Sequence, residues 1–180
     1  LGYHTTGIDL SEESIKSAKE KSKGKIPFEV WDMRKCYKKQ EFDVALNLFT
    51  SFGYFENNED DLSAIKAISD NLKEEGILII DFLNSKKVID NLVKKETKVI
   101  EGVQFNISRK VEDGFIIKNI EVIHDGEKMS FQEKVKALTK DDFSELLTFA
   151  GLTIINTFGN YRLDVFNQQT SDRLIISAKK

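Results

Sequence analysis

The sequence Gly7-Ile8-Asp9-Leu10-Ser11 marks the point at which a short strand passes into a helix. Residues 3–8 show the alternating aromatic and β-branched pattern of a strand, and Ser11 precedes two acids that suit the first turn of a helix. Asp9 therefore follows the carboxyl end of a strand, which is the edge where open α/β sheets bind ligands. An acid at this edge suits the two hydroxyls of a nucleotide ribose. The alternative is that Asp9 only caps a turn.

The composition indicates one globular domain and gives no sign of a nucleic-acid or membrane partner. The chain has 180 residues, of which 40% are hydrophobic and 32% charged. Its net charge of −3 gives no electrostatic footprint for nucleic acid or an acidic membrane, so we expect neither as a partner. No apolar run approaches the length of a membrane span. Cys36 is the single cysteine, so we expect a reducing, cytoplasmic setting, no catalytic thiol and no metal site.

Strand-like and helix-like segments alternate up to residue 95. After the first strand, helices are predicted at Ser11–Lys23, Asn58–Lys73 and Ser85–Lys95, and strands at Pro27–Trp31, Phe42–Phe49 and Ile77–Phe82. The run Phe42–Phe49 is apolar almost throughout, which is typical of a strand covered on both faces. This alternation predicts an α/β fold with a mostly parallel sheet and helices on both faces.

The pattern changes between residues 99 and 138. Two Asp-Gly pairs, Asp113-Gly114 and Asp125-Gly126, separate three alternating runs. Because Asp-Gly between such runs is a strong hairpin signal, we predict a three-stranded antiparallel insert. The predicted organisation is therefore an α/β core at residues 1–98 and 139–180 with an antiparallel insert at residues 99–138.

Helical spacing resumes after the insert. Thr139 is a predicted cap with Asp142 at the third helical position, and Gly151 ends the helix. Strands are then predicted at Leu152–Phe158 and Leu174–Ala178. Since no helix separates these two strands, the last one is predicted to run antiparallel.

Polar residues follow three successive strands of the predicted core. Asp9, Asp32 and Asn47 all fall at the carboxyl edge of the sheet, and three strand ends that converge on one crevice predict a nucleotide site. The ribose hydroxyls suit Asp9, and an adenine amino group suits a carboxylate such as Asp32. The flat face of adenine suits apolar neighbours such as Leu10 and Met33.

At this point the chain resembles the class I S-adenosylmethionine-dependent methyltransferases. The matching segments occur in the family's order and cover almost the whole chain: Thr6-Gly-Ile-Asp-Leu-Ser-Glu-Glu-Ser, Asp32-Met-Arg, Phe42-Asp-Val-Ala-Leu-Asn-Leu-Phe-Thr-Ser-Phe-Gly-Tyr-Phe, Leu72-Lys-Glu-Glu-Gly-Ile-Leu-Ile-Ile-Asp-Phe, Phe149-Ala-Gly-Leu and Ser171-Asp-Arg-Leu-Ile-Ile-Ser-Ala-Lys-Lys. The segment from Phe42 to Phe55 is similar to one small-molecule-type branch that carries an antiparallel insert. The resemblance implies a Rossmann-like fold, S-adenosylmethionine as cofactor and a small-molecule methyl acceptor.

The resemblance also implies roles for individual residues. It assigns the ribose hydroxyls to Asp9, the adenine face to Leu10, the adenine amino group to Asp32, the ring edge to the backbone amide of Met33, and the methionine portion to backbone groups of Asn47 and Leu48. The loop Phe49–Phe55 and the insert would shape the acceptor pocket.

The sequence departs from the family pattern in two places. The segment Lys73-Glu-Glu-Gly stands where the family more often has Pro-Gly-Gly, which is a conservative change. The family's first strand and its Gly-rich loop are expected before Leu1, and the sequence does not contain them. Because that strand is central in the family's sheet, its loss would leave open edges on both neighbours. We therefore expect either that another chain fills the gap or that the chain is a fragment of a longer protein.

Three polar side chains are candidates for contact with the acceptor: Tyr54, His124 and Tyr161. Methyl transfer from a sulfonium is a displacement, so holding the nucleophile and the methyl group in line does most of the work. A neutral amine needs no dedicated base, and the sequence identifies none. The alternatives are that His124 only flanks a turn and that the two tyrosines serve packing.

The sequence leaves two other functions open. A nicotinamide (NAD-dependent) dehydrogenase also places an acid after its second strand, but Asp32-Met33 and the two closing strands favour the methyltransferase. A non-catalytic binding or assembly module derived from the same fold is the other alternative. The insert would cover the site, pair with a second subunit or do both, which leaves a homodimer as an alternative to a monomer.

Overall fold

The computed structural model describes residues 2–180, so Leu1, the first residue of the predicted core, lies outside the described residues. Strands and helices alternate through the first half of the chain, as predicted. Their bounds are β1 Gly7–Asp9, α1 Glu12–Ser22, β2 Phe28–Val30, β3 Phe42–Asn47, α2 Asn58–Asn71, β4 Leu72–Leu83 and α3 Ser85–Asp90. The first strand is shorter than the predicted one and begins at Gly7.

The second half contains the insert and the closing elements of the core. The bounds are β5 Lys95–Ile100, β6 Val103–Glu112, β7 Phe115–His124, β8 Glu127–Lys136, α4 Lys140–Phe149, β9 Thr153–Phe158 and β10 Arg173–Lys179. The predicted closing order of helix, strand and strand is therefore confirmed.

The predicted helix caps are present. The Ser11 hydroxyl accepts a hydrogen bond from the backbone amide of Ser14 (3.2 Å) at the start of α1. Thr139 and Asp142 form a reciprocal capping box at the start of α4. Each cap satisfies backbone N–H groups that a helix leaves unpaired in its first turn, so these helix starts are fixed by local sequence.

The strands of the core are divided between two sheets. Within residues 2–180, β1 pairs only with β2, in parallel, and the second sheet has the order β3-β4-β10-β9. Strand β3 is parallel to β4, whereas β10 is antiparallel to both β4 and β9. The predicted antiparallel last strand is confirmed. Strands β1 and β3 each have one edge that pairs with no other strand among the described residues.

One face of β3 is more exposed than its sequence predicts. Val44 is 49% and Leu46 57% exposed, so the prediction that both faces are covered is wrong. Side chains alternate along a strand, and these two share one face, whereas Ala45 and Asn47 on the other face are packed. An apolar run thus indicates that a strand prefers burial, but it does not indicate whether another element packs on each face of the strand.

The insert has four antiparallel strands, in the order β5-β6-β7-β8, where the sequence predicted three. The two Asp-Gly turns have the predicted positive φ angles at both residues, 50° and 77° at Asp113-Gly114 and 50° and 81° at Asp125-Gly126. The additional hairpin turns at Glu101-Gly102, with φ of 51° and 81°. It was missed because the predicted third helix was extended to residue 95, and that helix ends at residue 90.

The core lies between the second sheet and helices α2 and α4. Its largest side chains have below 2% exposure: Phe52, Phe82, Phe143, Ile65, Leu72, Leu78, Ile80, Leu147, Leu174 and Ile176. The rings of Phe82 and Phe143 meet edge to face at 5.1 Å, a geometry that adds about 1 kcal/mol beyond area burial. This packing makes the second sheet a rigid platform for the loops at its carboxyl edge.

The part of the chain that the structure describes contains neither a membrane-crossing helix nor a metal-binding cluster. No helix there combines the length and hydropathy that a membrane crossing requires. No group of three or more His, Cys, Asp or Glu side chains there is arranged to hold a metal ion. The thiol of Cys36 is half-buried and donates to Oδ1 of Asn71 at 3.3 Å, so it is engaged in packing the loop before β3.

Candidate functional site

Asp9 ends β1 and has the turn-capping role, which is one of the two that the sequence left open. Its Oδ1 accepts a hydrogen bond from the backbone amide of Ser11 (2.8 Å), which is the turn-capping role. Within residues 2–180 its Oδ2 has no hydrogen-bond partner, and the side chain is exposed. Leu10, the next residue, is 68% exposed. The strand end therefore presents one free carboxylate oxygen beside an exposed apolar side chain.

Asp32, which follows β2, is already engaged by a neighbour. Nε of Arg34 lies 3.0 Å from both carboxylate oxygens, and its second nitrogen lies 2.7 Å from Oδ2. The backbone amide of Arg34 also donates to Oδ1 at 3.0 Å. The side-chain bonds from Arg34, followed by its backbone bond, hold the pKa of Asp32 below its usual range. Asp32 is thus an ionised carboxylate, and Arg34 occupies part of its hydrogen-bond-accepting capacity.

Arg34 connects this carboxylate to the rest of the core. Its guanidinium also pairs with Asp60 in the first turn of α2 at 3.1 Å and lies 5.4 Å from the ring centroid of Phe55. Met33, between the two paired residues, packs against the main core. The side chain of Met33 therefore serves packing, which leaves its backbone for the role predicted at the adenine ring edge.

Asn47 ends β3 and is buried, with 6% exposure. Its Oδ1 is inaccessible and has no hydrogen-bond partner among the described residues. A buried acceptor without a donor costs about 1–3 kcal/mol, so such atoms call for an explanation. Leu48, the next residue, has its carbonyl bound by the Ser51 hydroxyl at 2.7 Å. The Asn47 side chain thus belongs to the packed face of β3, which leaves its backbone for the role predicted at the methionine portion.

The segment after Leu48 turns sharply in the left-handed region. Phe49 has φ of 58° and Thr50 φ of 63°, and each residue other than glycine pays about 1–2 kcal/mol for that conformation. The side chain of Phe49 is 76% exposed. Backbone groups of β4 hold the turn, since the amide of Thr50 donates to the carbonyl of Asp81 at 2.9 Å.

Asp81 near the end of β4 was missed as a site residue. It is 2% exposed, and its Oδ2 accepts from the amide of Phe49 (3.0 Å) and from the hydroxyl of Tyr161 (2.9 Å). Its Oδ1 accepts from Nε of Arg173 at 2.7 Å. The available sequence signal was a single acid within the apolar run of β4, with an arginine at the start of β10.

The three acceptor-contact candidates lie in different settings. Tyr161 is 63% exposed and bonded to Asp81, and that hydrogen bond raises the pKa of Tyr161. Tyr54 is 52% exposed, and burial, followed by the charge of Glu133, raises its pKa. Both therefore stay protonated at neutral pH.

His124 lies at the end of β7, beside the turn residue Asp125, with 3.5 Å between Nε2 and Oδ2. Strand β7 places it roughly 30 Å from Phe115, the end of the strand next to the core. The structure thus agrees with the interpretation that His124 flanks a turn, and we do not include His124 among the residues proposed to contact the acceptor.

The free or partly free atoms at this edge match one chemical class of ligand. The carboxylates of Asp9 and Asp32 follow two successive strands, and their oxygens are hydrogen-bond acceptors. Ribose hydroxyls and an adenine amino group are donors. The two residues therefore fit the adenosine part of S-adenosylmethionine.

Parts of the sequence are similar to known methyltransferases. Residues 1–76 match the family model of the methyltransferase domain. YqeM of Bacillus subtilis strain 168, which bears a provisional methyltransferase name, is 34% identical over 92 residues. That alignment covers 49% of this chain and 37% of YqeM, so the chain spans little more than a third of this curated relative.

Solved structures share the fold over nearly the entire chain. An S-adenosylmethionine-dependent methyltransferase from Clostridium acetobutylicum has a TM-score of 0.86 at 20% identity, over 98% of this chain and 75% of its own. The amino pentose methyltransferase CalS10 from Micromonospora echinaspora, solved with S-adenosylmethionine, has a TM-score of 0.75 at 18% identity, over 98% and 74%. The sugar N-methyltransferase KedS8 from a Streptoalloteichus species has a TM-score of 0.78 at 16% identity, over 97% and 70%. The fold predicted from the sequence is confirmed: the chain has the fold of these S-adenosylmethionine-dependent methyltransferases.

Proposed function

We propose that this chain, as part of a class I S-adenosylmethionine-dependent methyltransferase, binds that cofactor and transfers its methyl group to a small molecule. One observation carries the proposal: the carboxylates of Asp9 and Asp32 follow successive strands, and Oδ2 of Asp9 is left free beside an exposed Leu10. Carboxylate oxygens accept hydrogen bonds, and the ribose hydroxyls and adenine amino group of the cofactor donate them.

The residue roles in this proposal follow the strand order. Oδ2 of Asp9 accepts from the ribose hydroxyls while Oδ1 keeps the turn closed. Asp32 accepts from the adenine amino group in a direction that Arg34 leaves open. The exposed side chain of Leu10 packs on the adenine face, and the backbone amide of Met33 contacts the edge of the adenine ring. Backbone groups of Asn47 and Leu48 border the methionine portion.

S-adenosylmethionine supplies an electrophilic methyl group on a sulfonium when it is bound. The residues of this chain need only orient it and hold the acceptor in line, because displacement at the methyl carbon depends mainly on geometry. Three exposed aromatic side chains lie in the loops proposed for the acceptor: Phe49, Tyr54 and Tyr161. No residue is assigned as a base.

A small-molecule acceptor is supported by the character of these loops and by the names of two structural relatives. CalS10 is named for an amino pentose and KedS8 for sugar N-methylation. We propose the same broad class of acceptor here. The predicted division into a core at residues 1–98 and 139–180 and an insert at 99–138 belongs to this proposal, with the insert extended to the start of β5 at Lys95. The cytoplasmic location and the homodimer belong to it as well.

Calorimetric titration of the protein with S-adenosylhomocysteine and with NADH tests the proposal. We expect binding of S-adenosylhomocysteine and none of NADH, and the reverse result would establish the dehydrogenase alternative. Incubation with S-adenosylmethionine and a panel of small amines and alcohols, with release of S-adenosylhomocysteine as the readout, tests catalysis. Cofactor binding without turnover of any acceptor would favour the non-catalytic module.

A further inference from the structure

One buried carboxylate contacts both sides of the proposed site. Oδ2 of Asp81 accepts from the backbone amide of Phe49 and from the hydroxyl of Tyr161. Phe49 directly follows Asn47 and Leu48, whose backbone is assigned to the cofactor, whereas Tyr161, a candidate for acceptor contact, belongs to the loop between β9 and β10. These two segments lie 32 and 80 residues away from Asp81 in the chain.

Arg173 fixes the position of this carboxylate. Nε of Arg173 donates to Oδ1 of Asp81 (2.7 Å), and its second nitrogen donates to the Asp81 carbonyl and to the Thr50 hydroxyl, both at 3.2 Å. Asp81 is 2% exposed, and the side chain of Arg173 is about one-fifth exposed. With one backbone donor and two side-chain donors on its two oxygens, the carboxylate has little freedom to rotate.

The turn held by this carboxylate is intrinsically strained. Phe49 and Thr50 are consecutive residues at positive φ, and neither is glycine. Such a conformation persists only where surrounding contacts maintain it. The amides of both residues bond to Asp81, one to its side chain and one to its backbone.

We propose that Asp81 is a positioning residue that couples the two halves of the site: it holds the strained turn beside Asn47 for the cofactor and orients the Tyr161 hydroxyl for the acceptor. This inference rests on the proposed function. Since the Tyr161 proton is donated to Asp81, the phenol oxygen offers its lone pairs to an acceptor group that carries N–H or O–H. Asp81 touches neither substrate in this arrangement and acts through its two partners.

Two readouts separate this role from simple structural support. The first is the dissociation constant of S-adenosylhomocysteine, measured by calorimetry on the full-length protein. The second is the titration midpoint of Tyr161, followed by NMR of tyrosine labelled with carbon-13 at Cζ and assigned by its loss in Tyr161→Phe. Asp81 and Arg173 are the charged groups that face this phenol, and Asp81 raises the pKa of Tyr161 while Arg173 opposes it.

Asp81→Asn should weaken S-adenosylhomocysteine binding at least ~5-fold, about the effect of losing a charge-assisted hydrogen bond. It should also lower the titration midpoint of Tyr161. Tyr161→Phe should leave the cofactor affinity within about 2-fold, because its contact lies on the acceptor side. Adding Phe49→Gly to Asp81→Asn should restore cofactor affinity, since glycine adopts positive φ without strain, but should leave the Tyr161 midpoint low.

Asp172→Asn is the matched control, since this carboxylate lies in the same loop as Tyr161 and pairs with Lys87 at an exposed position. It should change neither readout. If Asp81→Asn does not fold, Asp81→Glu keeps the charge and displaces both oxygens, and it should move both readouts in the same directions. Unchanged affinity together with an unchanged Tyr161 midpoint would overturn the proposal, and so would a change in one readout alone. If the unmodified protein binds no S-adenosylhomocysteine, the proposed function fails, while the Tyr161 titration still tests the Asp81 contact.

Discussion

Lys136, the last residue of β8, donates through Nζ to the buried carboxylate of Asp61 in α2. The same nitrogen donates to the Asn57 carbonyl and to Oδ1 of Asn58, both at 2.9 Å, and the backbone amide of Lys136 donates to the Gly53 carbonyl at 2.7 Å. One residue therefore fastens the base of the insert to the loop after β3 and to the start of α2. This attachment brings the insert next to the loop proposed for the acceptor.

Lys136→Met should destabilise the folded state by about 3 kcal/mol, because it leaves a buried carboxylate without its partner. Oδ1 of Asp61 already has no hydrogen-bond partner among the described residues, so the remaining charge would be poorly compensated. Urea unfolding at pH 7 measures the loss. Lys110→Met removes an exposed pair with Glu112 in the same sheet and should cost below about 1 kcal/mol. Equal effects of the two substitutions would contradict the role of the buried pair.

The destabilisation by Lys136→Met should shrink as the pH falls. Burial raises the pKa of Asp61, and Lys136 opposes that shift, so the substitution should raise the pKa further. A carboxyl whose pKa is higher in the folded state destabilises that state above its folded pKa, and the penalty vanishes below its unfolded pKa of about 3.9. Urea unfolding of both proteins at pH 7 and pH 5 checks this expectation. Adding Asp61→Asn to Lys136→Met should remove the difference between the two pH values.

Arg34→Met should make cofactor binding more sensitive to acid. Arg34 holds the pKa of Asp32 below its usual range, so the carboxylate proposed to accept the adenine amino group stays ionised at lower pH. The ionised acceptor is lost as the pH falls through the pKa of Asp32 in the folded protein, which the substitution raises. The dissociation constant of S-adenosylhomocysteine should change by at most about 3-fold at pH 7 and by more near pH 4.

Arg109→Met is the control for this experiment, since it breaks an arginine pair with Glu96 inside the insert. Its effect on cofactor affinity should be small and the same at both pH values. Parallel pH profiles for Arg34→Met and the unmodified protein would show that Asp32 does not bind the adenine as an ionised group.

Asp9→Ala should raise the dissociation constant of S-adenosylhomocysteine at least ~10-fold, because the ribose hydroxyls lose a charged acceptor. Ser11→Ala is a matched control at the same turn. It removes the cap on α1, with a cost of about 1 kcal/mol in stability, but leaves the Asp9 carboxylate in place. Cofactor affinity unaffected by Asp9→Ala would refute the ribose role.

The elements that were predicted correctly depend on neighbours in the sequence. Ser11 and Thr139 cap helices through atoms three residues away, and the Asp-Gly pairs form hairpin turns because both residues accept positive φ. The Glu101-Gly102 turn has the same geometry with a weaker local signal, and the predicted helix extended into its first strand. Prediction therefore failed where two local preferences competed and packing decided between them.

The site could be predicted only in part. The positions of Asp9, Asp32 and Asn47 after successive strands follow from the alternation of strands and helices. Which oxygens are free does not follow, because the pairing of Asp32 with Arg34 also depends on where α2 places Asp60. The exposure of the Val44 and Leu46 side chains could not be predicted from the sequence either.

The sequence by itself determined the order of the elements, the caps and turns, and the acidic residues at the strand ends, since each depends on backbone preferences over a few residues. Only the tertiary structure decided that Asp81 meets Phe49, Tyr161 and Arg173. Those residues lie 32, 80 and 92 positions away, and they meet because β4 lies between β3 and β10 in the sheet. Strand order is a property of the whole packed domain, so no local pattern at Asp81 could indicate these contacts.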